Sequence, residues 1–205
     1  MTTIKFCGLR REEDILAVNR IRPDYAGMIL SAGYKRSVNR EQAKQLKALL
    51  DPEIAMCGVF VNEDPEYIAP FVTEDIIDVI QLHGTEEDRM IRELKSRFPK
   101  VPVIKAFIVH KAEDVENAVV SSADWILLDG GAGEGRRVRL SLLKHVKREY
   151  MLAGGLDAEN VAEAIRFLHP CGVDTSSGIE TDLKKDPEKM KAFAQAVRKE
   201  DVHHA

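Results

Sequence analysis

Eight short apolar runs rich in β-branched residues recur along this chain, each followed by a longer amphipathic stretch. This alternation limits the fold more than any other feature. The runs are Ile4–Cys7, Tyr25–Leu30, Ala55–Val61, Val79–Leu82, Val103–Phe107, Trp125–Leu128, Met151–Ala153 and Val173–Thr175. Their length suits strands of a parallel sheet buried on both faces. The intervening stretches read as helices over Glu12–Ile21, Arg40–Leu50, Pro65–Val72, Glu86–Phe98, Ala112–Ser121, Ser141–Val146, Ala158–Leu168 and Pro187–Arg198. Asn39, Asp64 and Asp186 stand at helix-cap positions, the last two directly before a proline. Thr85 with Asp88 resembles a capping box. Eight strand–helix units in series point to the α/β class and a single-domain (β/α)8 TIM barrel over residues 1–200, with a polar tail at 201–205. A doubly wound open sheet is the alternative, but Cys7-Gly8-Leu9 is not the Gly-rich dinucleotide loop expected there.

The 205 residues lie near the lower limit of about 200 for such a barrel, so loops and helices must be short. Lys and Arg number 30 against 34 acidic residues, a net charge of -4 with no long basic run, which argues against a nucleic-acid partner. No apolar run reaches the roughly 20 residues that span a bilayer, and the N-terminus does not read as a signal peptide. Three cysteines, Cys7, Cys57 and Cys171, are odd in number and far apart, as expected for free thiols in a reducing cytoplasm. No Cys/His cluster has metal-ligand spacing, and His203 and His204 fall in the polar tail.

Cys7 ends the first apolar run and is followed by Gly8, at the strand edge where reacting groups gather in parallel α/β folds. A thiolate there can act as base or nucleophile; the plainer reading is a small buried hydrophobe. Two glycine-bearing loops close the last two strands: Gly154-Gly155 after the seventh, and Ser176-Ser177-Gly178 after the eighth. Barrels commonly bind phosphate at these two loops, where glycine lets backbone N–H groups approach the anion. Asp174 reads as an organiser of the second loop through backbone hydrogen bonds.

Taken together, Lys5-Phe6-Cys7-Gly8-Leu9, Gly58-Val59-Phe60-Val61-Asn62, Gln81-Leu82-His83-Gly84, Leu127-Leu128-Asp129, Ala153-Gly154-Gly155-Leu156 and Asp174-Thr175-Ser176-Ser177-Gly178-Ile179-Glu180 carry a resemblance. The chain resembles the phosphoribosylanthranilate isomerases of tryptophan biosynthesis over residues 4 to about 186. The resemblance implies a (β/α)8 barrel without cofactor or metal, acting as monomer or homodimer on a small phosphosugar by an Amadori rearrangement. It implies Cys7 as base, Asp129 as acid, Arg36 facing the anthranilate carboxylate, and Gln81 and His83 as ligand contacts or buried structural hydrogen-bonders. Burial beside the strand end is expected to keep the Asp129 carboxyl protonated. Cys57, Cys171 and Trp125 read as packing residues.

The chain departs from the family after Asp129. Gly130 to Gly135 keep the glycine-rich loop, but Val138-Arg139-Leu140 replaces the usual Phe-Asp-Trp, leaving Ser141 as the expected cap. Arg136, Arg137 and Arg139 read as a solvated basic turn or as a reach over the mouth. Two other functions compete. Another phosphosugar barrel would need lysine–acid pairs or a metal set, and Lys5 and Lys105 show no such partners in sequence. A non-catalytic barrel that kept only the phosphate pocket rests on the altered loop.

Overall fold

The computed structural model describes residues 1–131 and 140–203. Eight parallel strands close on themselves in chain order, β8 pairing back onto β1. They are β1 (Thr3–Phe6), β2 (Tyr25–Ile29), β3 (Ala55–Phe60), β4 (Val79–Leu82), β5 (Val103–Ile108), β6 (Trp125–Asp129), β7 (Tyr150–Ala153) and β8 (Gly172–Thr175). Each lies within a residue or two of its expected run. The outer ring is α1 (Glu12–Ile21), α2 (Arg40–Leu49), α3 (Pro65–Thr73), α4 (Asp88–Arg97), α5 (Ala112–Val119), α6 (Leu140–Leu143), α7 (Val161–Leu168) and α8 (Pro187–His203). Between β8 and α8 lie a 3-10 turn (Ser177–Ile179) and a small hairpin, β9 (Glu180–Thr181) with β10 (Lys184–Lys185).

Helix ends show where local chemistry overrode the sequence pattern. Asn39 Oδ1 accepts from the Gln42 N–H, and Asp186 Oδ1 from the Glu188 and Lys189 N–H groups, as caps should. Thr85 does not cap α4: its N–H and hydroxyl both donate to Asn62 Oδ1, and the helix starts at Asp88. Helix α7 starts three residues later than expected because Asp157 Oδ1 takes the Glu159 and Asn160 N–H groups and folds that stretch as a turn. Ser141 lies inside α6 rather than before it. Helix α8 runs on to His203, past Arg198 and into the expected tail. Residues 132–139, with Arg136, Arg137 and Arg139, and His204 lie outside the described residues.

One periodicity sorts the side chains. Successive residues of a strand face opposite sides, so each barrel strand sends alternate residues inward. On β6, Ile126 and Leu128 pack outward under the helices, while Trp125 and Leu127 point into the barrel and Asp129 continues that inward row. The lower interior is filled by Cys57, Val79, Ile104, Ala106, Leu127 and Met151, with Trp125 edge-on to Tyr25 at 6.1 Å and Cys171 packed beside them. Cys57, Cys171 and Trp125 are therefore packing residues. Outside the strands the larger core includes Phe6, Met28, Met56, Phe60 and Ile80 against helix faces.

Phe193 of α8 is fully buried and meets Phe6 of β1 edge-on at 6.1 Å, tying the last helix to the first strand. Phe193→Ala is expected to destabilise the fold by about 3–5 kcal/mol. Urea unfolding followed by circular dichroism would show it as a lower midpoint.

Candidate active site

A cleft of about 480 Å³ opens at the C-terminal ends of the strands. Cys7, Arg36, His83, Asp129, Gly154, Gly155, Ser176 and Ser177 all line it. Gln81 and Gly178 are not among its lining residues. The inward rows account for this gathering. Lys5 of β1 shares a face with Cys7, the residue just past that strand, as Gln81 of β4 does with His83, and Asp129 and Asp174 occupy inward positions of β6 and β8.

The β1 side holds a thiol over an ion pair. Cys7 is buried, with its N–H donating to Thr175 O at 2.9 Å. Below it Lys5 is wholly buried, and its Nζ meets Asp174 Oδ1 at 3.0 Å. The strand register sets Lys5 directly against Asp174. Asp174 is thus a partner of Lys5, not the backbone-bonding organiser expected. Burial pushes the Cys7 thiol above its ordinary value, while the Lys5 ammonium and, less strongly, Lys185 pull it down; burial prevails. Burial likewise works to lower Lys5, but the Asp174 carboxylate overrides it and keeps the ammonium charged.

The β4–β6 side holds the carboxyl. Asp129 Oδ1 accepts from the Gly131 N–H at 2.9 Å, and His83 Nε2 stands 3.4 Å from Oδ2, longer than a good hydrogen bond. Gln81 orients the imidazole: Cys57 Sγ lies 3.7 Å from Gln81 Oε1, and Gln81 Nε2 lies 3.0 Å from His83 Nδ1. The thiol donates to the amide oxygen and the amide N–H to Nδ1, which leaves the ring proton on Nε2, facing Asp129. Burial raises the Asp129 pKa as expected. The neighbouring His83 and the Gly131 N–H outweigh it and hold the carboxyl below its ordinary value. In the open site Asp129 is therefore a carboxylate, which corrects the expectation that burial alone protonates it.

The two glycine loops lie between these groups. Gly154 and Gly155 have φ of 97° and 63°, backbone that only glycine adopts freely, and Asn160 Nδ2 donates to Gly155 O. Gly178 has a different task. A Cβ there would stand 1.9 Å from Leu156 O, so the loop after β8 lies flush on the loop after β7. Thr175 Oγ1 fastens the same contact by donating to Leu156 O at 2.7 Å.

Arg36, on the loop after β2, makes a two-pronged pair with Glu180, Nε to Oε1 at 2.6 Å and Nη2 to Oε2 at 2.7 Å. Lys185, buried on the small hairpin, bridges Glu180 Oε1 at 2.7 Å and Ser176 O at 2.8 Å. It thereby ties the loop after β8 to Arg36. Lys5, Asp174, Glu180 and Lys185 were not read as site residues from the sequence. Lys5 and Lys105 both have acidic partners, Lys105 meeting Glu86 at 2.9 Å, so lack of such partners does not separate this chain from other phosphosugar barrels. Among the described residues, no three His, Cys, Asp or Glu side chains form a group able to hold a metal ion. No helix among them is long and apolar enough to cross a membrane.

A closed (β/α)8 barrel with an ionisable thiol, a paired carboxyl and two glycine loops at one mouth is a barrel enzyme equipped for acid–base chemistry. The family model described as N-(5'phosphoribosyl)anthranilate (PRA) isomerase matches residues 4–196. An N-(5'-phosphoribosyl)anthranilate isomerase of Clostridium kluyveri is 42% identical over 201 residues, 97% of this chain and 98% of that one. A solved phosphoribosyl anthranilate isomerase, in complex with reduced 1-(o-carboxyphenylamino)-1-deoxyribulose 5-phosphate, matches at TM-score 0.87 and 33% identity, over 97% of this chain and 100% of that chain. Monomers of the dimeric Thermotoga maritima isomerase match with the same score, identity and coverage. The chain belongs to the N-(5'-phosphoribosyl)anthranilate isomerase family, and is an aldose–ketose isomerase of tryptophan biosynthesis.

Burial works to raise the Glu180 carboxyl, but hydrogen bonds from Arg36 and Lys185 pull it down from 4.5 to about 2. A depressed carboxylate stabilises the fold fully above its unfolded value, and that contribution fades as pH falls towards the folded one. Between pH 4.5 and 2 the unaltered protein should therefore lose more stability than Glu180→Gln. Urea titrations across that window check the difference in slope.

Proposed function

We propose that the chain rearranges N-(5-phosphoribosyl)anthranilate to 1-(2-carboxyphenylamino)-1-deoxyribulose 5-phosphate with Asp129 as acid and Cys7 as base. The observation that carries the roles is their order round the barrel. Asp129 ends β6, Cys7 follows β1, and the glycine loops of β7 and β8 lie between them. A phosphate held at Gly154, Gly155, Ser176 and Ser177 sets the sugar ring between carboxyl and sulfur. Gly178 supports that cradle by closing one loop on the other.

The chemistry follows in two proton transfers. Asp129 gives its proton to the furanose ring oxygen, the C1–O bond breaks, and the anilino nitrogen becomes an iminium. Cys7 as thiolate then removes the C2 proton, giving an enolamine that tautomerises to the ketone. The open site carries its proton in the wrong place, on sulfur rather than on carboxyl. Substrate entry favours the exchange, because it displaces water over Asp129 and brings anionic groups that disfavour the carboxylate. The later iminium favours the thiolate. Arg36 faces the anthranilate carboxylate from the rim, and Glu180 keeps its fork in plane. Gln81 acts through His83, whose Nε2–H steadies Asp129.

The acid and base steps are complete without a cofactor. The partner is a small phosphosugar, and the assembly a monomer or, like the Thermotoga protein, a homodimer. The unpaired cysteines suit a reducing cytoplasm.

Loss of anthranilate fluorescence on freshly made substrate measures turnover. Cys7→Ser and Asp129→Asn are each expected to lower kcat by more than about 10²-fold with little change in KM. Near-full turnover in both variants would reject the roles. Crystals grown with inorganic phosphate should show it beside Gly155 and Ser177; phosphate bound elsewhere would reject the cradle.

A further inference from the structure

To act as a base, Cys7 must ionise inside the barrel. A thiol in an apolar pocket resists ionisation, so a thiolate formed there needs a fixed positive charge beside it. The charged or titratable groups that act on the sulfur or line the cleft with it are Lys5 on its own strand, Asp174 on β8, Cys57 on β3, His83 just after β4 and Asp129 on β6. Arg36, Glu180 and Lys185 complete the shell from the loops. Arg36 and Lys185 are committed to Glu180. Lys5 is placed differently.

Gly27 of β2, paired to the strand carrying Lys5, shows how close Lys5 and the sulfur lie. A Cβ built on Gly27 would stand 3.1 Å from Cys7 Sγ and 3.3 Å from Lys5 Cε. The sulfur and the end of the lysine chain therefore both border the space that the glycine leaves open. One Lys5 N–H reaches Asp174 Oδ1 at 3.0 Å, and an ammonium has three such donors. The side chain is wholly buried, so water does not screen its charge.

We propose that Lys5 is a positioning residue whose buried ammonium steadies the Cys7 thiolate, with Asp174 keeping that ammonium charged. The inference rests on Cys7 being the base and adds the group that makes it one. Lys5 pulls the thiol down more strongly than Asp174 pushes it up, which favours the thiolate that the second step requires.

The test reads the sulfur directly. Iodoacetamide alkylation of purified protein between pH 6 and 10, with the Cys7 peptide quantified by mass spectrometry, gives the midpoint of its ionisation. Lys5→Met should move that midpoint up by about one pH unit or more, so that alkylation at pH 8 slows about tenfold. Its kcat should fall with little change in KM. Lys5→Arg, which keeps the charge, should restore most of the midpoint. Because Lys5→Met leaves Asp174 buried without its cation, a second variant guards against loss of the fold: Lys5→Met with Asp174→Asn removes both charges and should still shift the midpoint upward, by less. Folded Lys5→Met, alone or with Asp174→Asn, whose Cys7 midpoint stays within about 0.3 unit of the unaltered protein would overturn the proposal. Full turnover in Cys7→Ser would instead reject the role of Cys7, so the two failures are distinguishable.

Discussion

A closed eight-stranded barrel admits into its interior only every second residue of each strand, and both the packing and the chemistry obey that restriction. The row that fills the lower interior with Trp125 and Leu127 delivers Asp129 to the mouth. The row through Val79 delivers Gln81 and then His83; the row through Lys5 delivers Cys7. A one-residue slip in any of these strands would turn its reacting group outward beneath the helices and put a leucine or phenylalanine into the cleft. Catalytic geometry and stability therefore share one register.

The restriction has a cost, because some inward positions beneath the mouth carry charge. Burying an ion pair seldom stabilises a fold relative to apolar residues of the same shape. Lys5 and Asp174 stand opposed in register at such a position, where two aliphatic side chains would serve packing at least as well. The Arg36–Glu180–Lys185 group is similar at the rim, where one carboxylate joins two cations and the carbonyl of Ser176 completes the link. These pairs fix the direction of charges around the cleft. A stabilising core would not need them; a site that moves protons does.

The barrel was legible in the sequence because its signal, a short apolar run followed by a longer amphipathic stretch, is repeated eight times. The inward placement of Gln81 and His83 was legible for the same reason, since two polar residues flanking Leu82 can only share a face. The partners of these groups were not. Lys5 and Asp174 lie 169 residues apart and meet through the β1–β8 closure, which no local pattern reveals. The hairpin bearing Glu180 and Lys185 turns at Asp182 and Leu183, with φ of 51° and 60°. Asp182 suits such a turn but Leu183 does not, so only half of the usual two-residue signal is present. Thr85 had the spacing of a cap, but the competing acceptor, Asn62, comes from another loop.

The Asp129 carboxyl shows why burial alone is a poor guide to protonation. Its surroundings contain opposing effects, and a neighbouring imidazole with one backbone N–H is enough to reverse the outcome. The thiol of Cys7 has the opposite balance, burial prevailing over two ammonium groups. The carboxyl therefore rests ionised and the thiol protonated, the reverse of what the proposed acid and base roles need at the moment of reaction. An enzyme that held Asp129 permanently protonated would need a drier pocket, in which the Cys7 thiolate would be less accessible still. Under the proposed roles the substrate's own anions, and then its iminium, set each group as it is needed. The strand register is what brings both groups to the lining of one cleft.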